Sequence, residues 1–205
     1  ENTWNMVGDL SIEHDRSRFF LPNRFIDPTV AVITDREKPL IAIADNLCSI
    51  GAFEWDGSVL TVLWRQEHSY EKHSSAGVSA NGLMVFGRWD GKVLAHDVTT
   101  GIKMWEYNAE QAVFATPSVL PEEFVFVVSK DHLHVLKAVD GTLIHDEEIP
   151  RKLRLLGTTY SSPAVTANRV YVSSFEMLTA THDLKTRGHD TNFTGNGLSS
   201  VAIGG

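Results

Sequence analysis

A single cysteine, Cys48, stands in 205 residues, so no internal disulfide framework and no multi-cysteine metal site can form. Cys48 sits in the apolar stretch PLIAIADNLCSI and reads as a small buried hydrophobe. No run of Lys and Arg is longer than the short Arg151-Lys152-Leu153-Arg154, and the net charge is −8. A surface that binds nucleic acid through its phosphates is therefore not expected, because such surfaces are basic. No window of 18 apolar residues occurs, so no transmembrane helix is predicted. The first residues, ENTWNMVGDL, do not read as a signal peptide. Long helical periodicity is missing as well.

What the chain does contain is 42% hydrophobic residues and 21% charged residues, enough apolar material for a packed core. The apolar residues are arranged in a repeat. Residues 75–107 read SAGVSANGLMVFGRWDGKVLAHDVTTGIKMWEY, and related copies cover 28–64, 116–149 and 162–188. The residue closing each small-residue opening is Val30, Val78, Val119, Val165 or Ile203, at intervals of about 38 to 48 residues. Trp64 and Trp105, 41 residues apart, mark the same closing position in two consecutive copies. In the second copy four strands are expected at about 75–80, 82–87, 92–97 and 102–107. Alternation shows in Val93-Leu94-Ala95-His96 and Met104-Trp105-Glu106-Tyr107. Asn81-Gly82, Asp90-Gly91 and Thr100-Gly101 supply the turns between strands, and Asp140-Gly141 repeats the last of them.

A lone four-stranded sheet cannot cover its own two faces, whereas stacked neighbours around an axis can. The fold class predicted is all-β, a β-propeller of four-stranded antiparallel blades. Blades are expected at about 25–66, 75–110, 113–150 and 160–190, with a partial blade at 198–205 and an insertion at 8–24. A two-sheet sandwich is the competing architecture. The insertion, GDLSIEHDRSRFFLPNR, reads either as a partner-binding loop or as a cover over the first blade.

Residues that could carry chemistry are few. His132 and His134 are i and i+2 on an expected strand and would share a face, but no third ligand stands at a defined spacing. They are weak metal candidates, better read as a solvated face. His96-Asp97 and His182-Asp183 recur near strand ends, where the Asp is expected to accept backbone N–H bonds from the next turn. The pairs Ser74-Ser75, Ser161-Ser162 and Ser199-Ser200 recur at blade openings and read as scaffold. No catalytic residue is identified.

The second copy resembles the repeat of the quinoprotein-like (pyrroloquinoline-quinone-like, PQQ-like) β-propellers. The residues that carry the resemblance are Asp90-Gly91, Val93-Leu94-Ala95-His96-Asp97, Thr100-Gly101 and Trp105. The resemblance implies that Trp64 and Trp105 are blade-docking residues. Members usually have about seven or eight blades. This chain either supplies part of such a ring, with the remaining blades from a longer chain or from self-association, or closes a small ring between the stretch around Trp4 and the strand around Ile203. The catalytic branch of the family implies quinone on the axis, a vicinal cysteine pair and a Ca²⁺ site, and only under that reading are PQQ and Ca²⁺ expected. A single Cys cannot make the pair. The non-catalytic branch includes a lipoprotein propeller that assists outer-membrane barrel assembly. It implies a protein-interaction or cell-envelope scaffold that binds a protein through face loops, in a periplasmic or extracellular setting. A propeller hydrolase or lyase with an axial site is the further alternative.

Overall fold

The computed structural model describes residues 30–44, 49–67, 74–120, 124–130, 132–148, 162–166, 169–173, 178–183 and 189–194. Cys48, Trp4, Asp131, the 8–24 insertion, the Arg151–Arg154 stretch and the 198–205 partial blade lie outside them. Sixteen strands are present among the described residues, and none of these residues is helical.

The strands form four separate four-stranded sheets, each an antiparallel meander in sequence order. The first sheet holds β1 (Ala31–Ile33), β2 (Leu40–Ala44), β3 (Ser49–Trp55) and β4 (Leu60–Glu67). The second holds β5 (Gly77–Val78), β6 (Leu83–Gly87), β7 (Lys92–Asp97) and β8 (Lys103–Asn108). The third holds β9 (Ser118–Val119), β10 (Phe124–Ser129), β11 (His132–Lys137) and β12 (Leu143–Glu148). The fourth holds β13 (Ala164–Val165), β14 (Arg169–Ser173), β15 (Leu178–Asp183) and β16 (His189–Thr194). Pro117 and Pro163 immediately precede the inner strands β9 and β13, where a missing N–H breaks no ladder bond.

Neighbouring sheets lie face to face, and the core is divided into the seams between them. Alternate side chains of one strand enter different seams. Met84 and Phe86 of β6 pack with Leu40, Ala42, Ile50 and Leu94 between the first and second sheets. Val85, between them in sequence, packs with Val93, Val125, Val127 and Leu136 between the second and third. Phe126 and Val128 pack with Leu133, Val135, Val170 and Val172 between the third and fourth. The middle strands are thus buried on both sides. Val93, Leu94, Ala95 and His96 are all buried, so the buried–exposed alternation expected there is absent: a neighbour covers each face. The outer strand β8, which has solvent beyond it, keeps the alternation, with Met104 and Glu106 exposed and Trp105 buried. Four sheets meeting in three successive seams, where a sandwich would have one facing pair, make this an all-β propeller.

Inner strands approach closely. A Cβ on Gly77 would collide with the carbonyl oxygen of Pro117, a backbone atom of the next sheet. The Ser118 hydroxyl donates to the Pro163 carbonyl across the following seam. Gly77→Ala is therefore expected to push the second and third sheets apart at their inner edge, costing about 1–3 kcal/mol as overpacking does. Denaturant unfolding of the variant measures it, and an unchanged midpoint would contradict the close approach.

Candidate functional site

Trp64 and Trp105 occupy the same place in consecutive sheets, and each is set down on the next sheet. The Trp64 indole Nε1 donates to the Val98 carbonyl at 2.7 Å, and the Trp105 Nε1 donates to the Ala138 carbonyl at 2.8 Å. Under each ring lies a glycine of the following sheet's third turn. Gly101 has φ +71° and Gly141 has φ +70°. A Cβ on Gly101 would stand 2.5 Å from Trp64, and one on Gly141 would stand 2.6 Å from Trp105. Glycine is required twice over, by the left-handed backbone and by the ring above it. Around Trp64 the seat is completed by Gln66, whose side-chain amide donates to the Gly101 carbonyl at 2.9 Å. His96, buried, stacks on Trp64 with ring centroids 6.2 Å apart, and its Nδ1 lies 3.0 Å from the Gly101 carbonyl.

The turn that carries Gly101 is held by Asp97. Its Oδ1 accepts from the Thr99 N–H at 2.9 Å, the Thr99 hydroxyl at 2.6 Å, the Thr100 N–H at 2.8 Å and the Thr100 hydroxyl at 2.9 Å. Partial burial works against the charge, but the bonds from Thr99 and Thr100 outweigh it, and the Asp97 carboxyl is held below the usual aspartate range. Asp56, in the corresponding turn of the first sheet, accepts from the Val59 N–H and from the N–H and hydroxyl of Ser58, and these bonds lower it too. Asp140 is lowered by Thr142, whose N–H donates to it at 2.9 Å. An aspartate thus recurs as a turn clamp, at the strand end for Asp97, just past it for Asp56 and inside the turn for Asp140. The side chain of Asp183 is outside the described set.

His132 and His134 do share a face of β11, with rings stacked 6.0 Å apart. His134 is buried, and both its nitrogens are engaged: Nε2 lies 2.6 Å from the Ser129 hydroxyl and Nδ1 lies 3.2 Å from the Tyr107 hydroxyl. A neutral ring donates at one nitrogen and accepts at the other, and hydroxyls can answer either way. The cluster ties β8 of the second sheet to β10 and β11 of the third. Among the described residues no group of three His, Cys, Asp or Glu could hold a metal. With one Cys in the chain, these residues do not fit a quinone–Ca²⁺ site. Ser74 is buried, accepting from the Gly87 N–H at 2.8 Å and donating to the Ser75 carbonyl at 3.0 Å, a scaffold position.

Sequence reading did not single out the two surfaces at the ends of the seams. One carries the β6–β7 turn and the β8–β9 loop. Val113 N–H donates to the Arg88 carbonyl there, and Trp89, 42% exposed, meets Phe114 edge to face at 4.9 Å. The buried Arg88 guanidinium pairs with Asp90 beside it. The opposite surface carries the first and third turns of the second sheet, with Val98 N–H donating to the Gly82 carbonyl. A signal for the first surface was available: Trp89 stands in a turn, where an aromatic has no core to fill.

The sequence profile of a family described as outer membrane protein assembly factor BamB matches residues 54–186. Among solved structures, BamB from Moraxella catarrhalis superposes with a TM-score of 0.65 at 16% identity, over 85% of this chain and 55% of that one. The chain therefore spans about half the length of that relative. No curated protein sequence matches.

Three outcomes are expected, the first two read by unfolding. Trp105→Ala should cost about 3–5 kcal/mol, as large-to-small core changes do. Gly141→Ala should cost at least about 1–3 kcal/mol for its backbone alone. Urea unfolding reads both. Asp97 contributes stability above the ordinary aspartate value of 3.8, lost as pH falls through its lower folded value. Asp97→Ala should lower the melting temperature at neutral pH by a few degrees and flatten the acid limb below that value. Parallel acid limbs for the two proteins would contradict the clamp.

Proposed function

This chain belongs to the family described as outer membrane protein assembly factor BamB, with its PQQ-like repeats, and from that membership we propose that it is a non-catalytic binding scaffold of the cell envelope, working on the periplasmic side of an outer membrane. The observation that carries the reading is the profile match across 54–186, which spans most of three consecutive sheets. The geometry supports it. Seams closed by indole-on-glycine seats make a rigid frame, and rigid frames present loops at fixed spacing. Buried polar groups in the described seams, such as Ser74, Ser129 and His134, bond one another or backbone and are turned inward. They tie strands together.

The blade-docking role is carried by Trp64 and Trp105. The protein partner is met by the loop surface bearing Trp89 and Phe114, where an exposed aromatic pair offers the kind of contact that dominates protein interfaces. The partner belongs to the machinery that assembles outer-membrane proteins, and no quinone or metal takes part.

The full chain, tagged and directed to the periplasm of a Gram-negative cell, is expected to co-purify with outer-membrane assembly proteins after mild cross-linking. Trp89→Ala should reduce recovery at least about tenfold, as loss of a hot spot does, with the melting temperature kept. Recovery of the chain alone would overturn the reading. So would a thermal shift and an absorbance change on adding pyrroloquinoline quinone with Ca²⁺.

A further inference from the structure

On the surface opposite Trp89, a groove of about 280 Å³ opens at the seam between the second and third sheets, with Asn81, Leu83, Asp97, Met104, Ala138 and Val139 in its lining. The repeat makes the groove informative, because the preceding seam supplies a comparison. Leu63 stands where Met104 does, one residue before the seated tryptophan, and Thr99 stands where Val139 does, one residue after the carbonyl that receives the indole. Thr99 turns its hydroxyl to Asp97. Val139 has no hydroxyl to turn and is 76% exposed, and Met104 is 56% exposed. A β-branched apolar side chain at an exposed turn gains nothing from the local backbone, so the fold does not account for it.

Charge identifies the occupant. Asp97 is the charged residue in the lining, and all four of its turn bonds fall on Oδ1. Its Oδ2 takes none of these four. Asp140 adds a second carboxylate in the neighbouring turn, with Lys137 as the nearby opposing charge, and the whole chain carries −8. A long cationic side chain satisfies both halves of such a site. Its methylenes cover apolar surface while its head stays polar.

We propose that this groove docks a basic segment of a partner polypeptide, with the stem of one Lys or Arg along Met104 and Val139 and its head on Asp97. This rests on the reading of the chain as a binding scaffold and adds a second surface, remote from Trp89.

Random seven-residue peptides displayed on phage are selected against the full chain and counter-selected against Met104→Lys. Met104 is exposed and outside the seats, so the fold is expected to survive, with circular dichroism and melting as the check. Peptides pairing Lys or Arg with an apolar neighbour should be enriched, and synthetic versions should bind the variant at least tenfold more weakly. Replacing their basic residue by Gln should weaken them to the same degree. Val139→Thr, which restores the residue type of the preceding seam, should weaken them several-fold. Enriched peptides without a basic residue, or equal binding to folded Met104→Lys, would overturn the groove. Co-purification of assembly proteins by Met104→Lys separates the two ideas: kept while peptide binding is lost, it leaves the scaffold reading and the groove both standing. Co-purification lost from the wild type, with peptide binding intact, sinks the scaffold partner alone.

Discussion

Each sheet of this protein is one layer thick, and its apolar side chains leave it on both faces. Met84 and Phe86 go one way and Val85 the other, from consecutive residues of one strand. Burial can therefore be completed only by a neighbour on each side, and this requirement organises the rest of the molecule. It explains why inner strands approach until only glycine fits at Gly77. It explains why β6 and β10 are near-continuous apolar runs, and why tryptophan appears at the outer strand, where the seam would otherwise stay open to water.

The seam closure joins three kinds of residue that are far apart in the sequence. A tryptophan supplies the area and one N–H. A carbonyl of the next turn accepts that N–H, and a glycine in left-handed conformation makes room for the ring. Asp97 then fixes the turn that holds carbonyl and glycine in place. The hydrogen bond orients the ring, and the glycine sets how closely the two sheets meet. Neither contact would position the seam alone, because an indole without its acceptor leaves a buried donor unsatisfied.

Much of this was legible in the amino-acid order. The spacing of Trp64 and Trp105 and the recurring Gly turns gave the four-stranded unit and its repetition, because each turn type demands particular residues. Strand limits in the second sheet fell within about one residue of expectation, apart from the inner strand β5, which is shorter at both ends. The partners across each seam were not legible. That Trp105 would rest on Gly141, or that His134 would bridge Ser129 and Tyr107, depends on register between sheets, which no local pattern encodes. The two-sided burial of Val93 to His96 was missed for a related reason: alternation in sequence reports two faces, not which of them meets water. Exposed Met104 and Val139 were silent, since an apolar residue in a β-rich sequence is assumed to be core until its neighbours are known, whereas Trp89 was betrayed by its place in a turn.

The tryptophan seat is also directional. In both described seats the donor stands on the outer strand of one sheet and the acceptor on the third turn of the next, so the donor reaches forward along the chain. The second sheet holds both halves: its Gly101 receives and its Trp105 gives. A tandem duplication of that unit would hand the copy a ready acceptor behind and a ready donor ahead. Arrays of this kind can therefore lengthen by head-to-tail gene duplication, with each new joint compatible from the moment it arises.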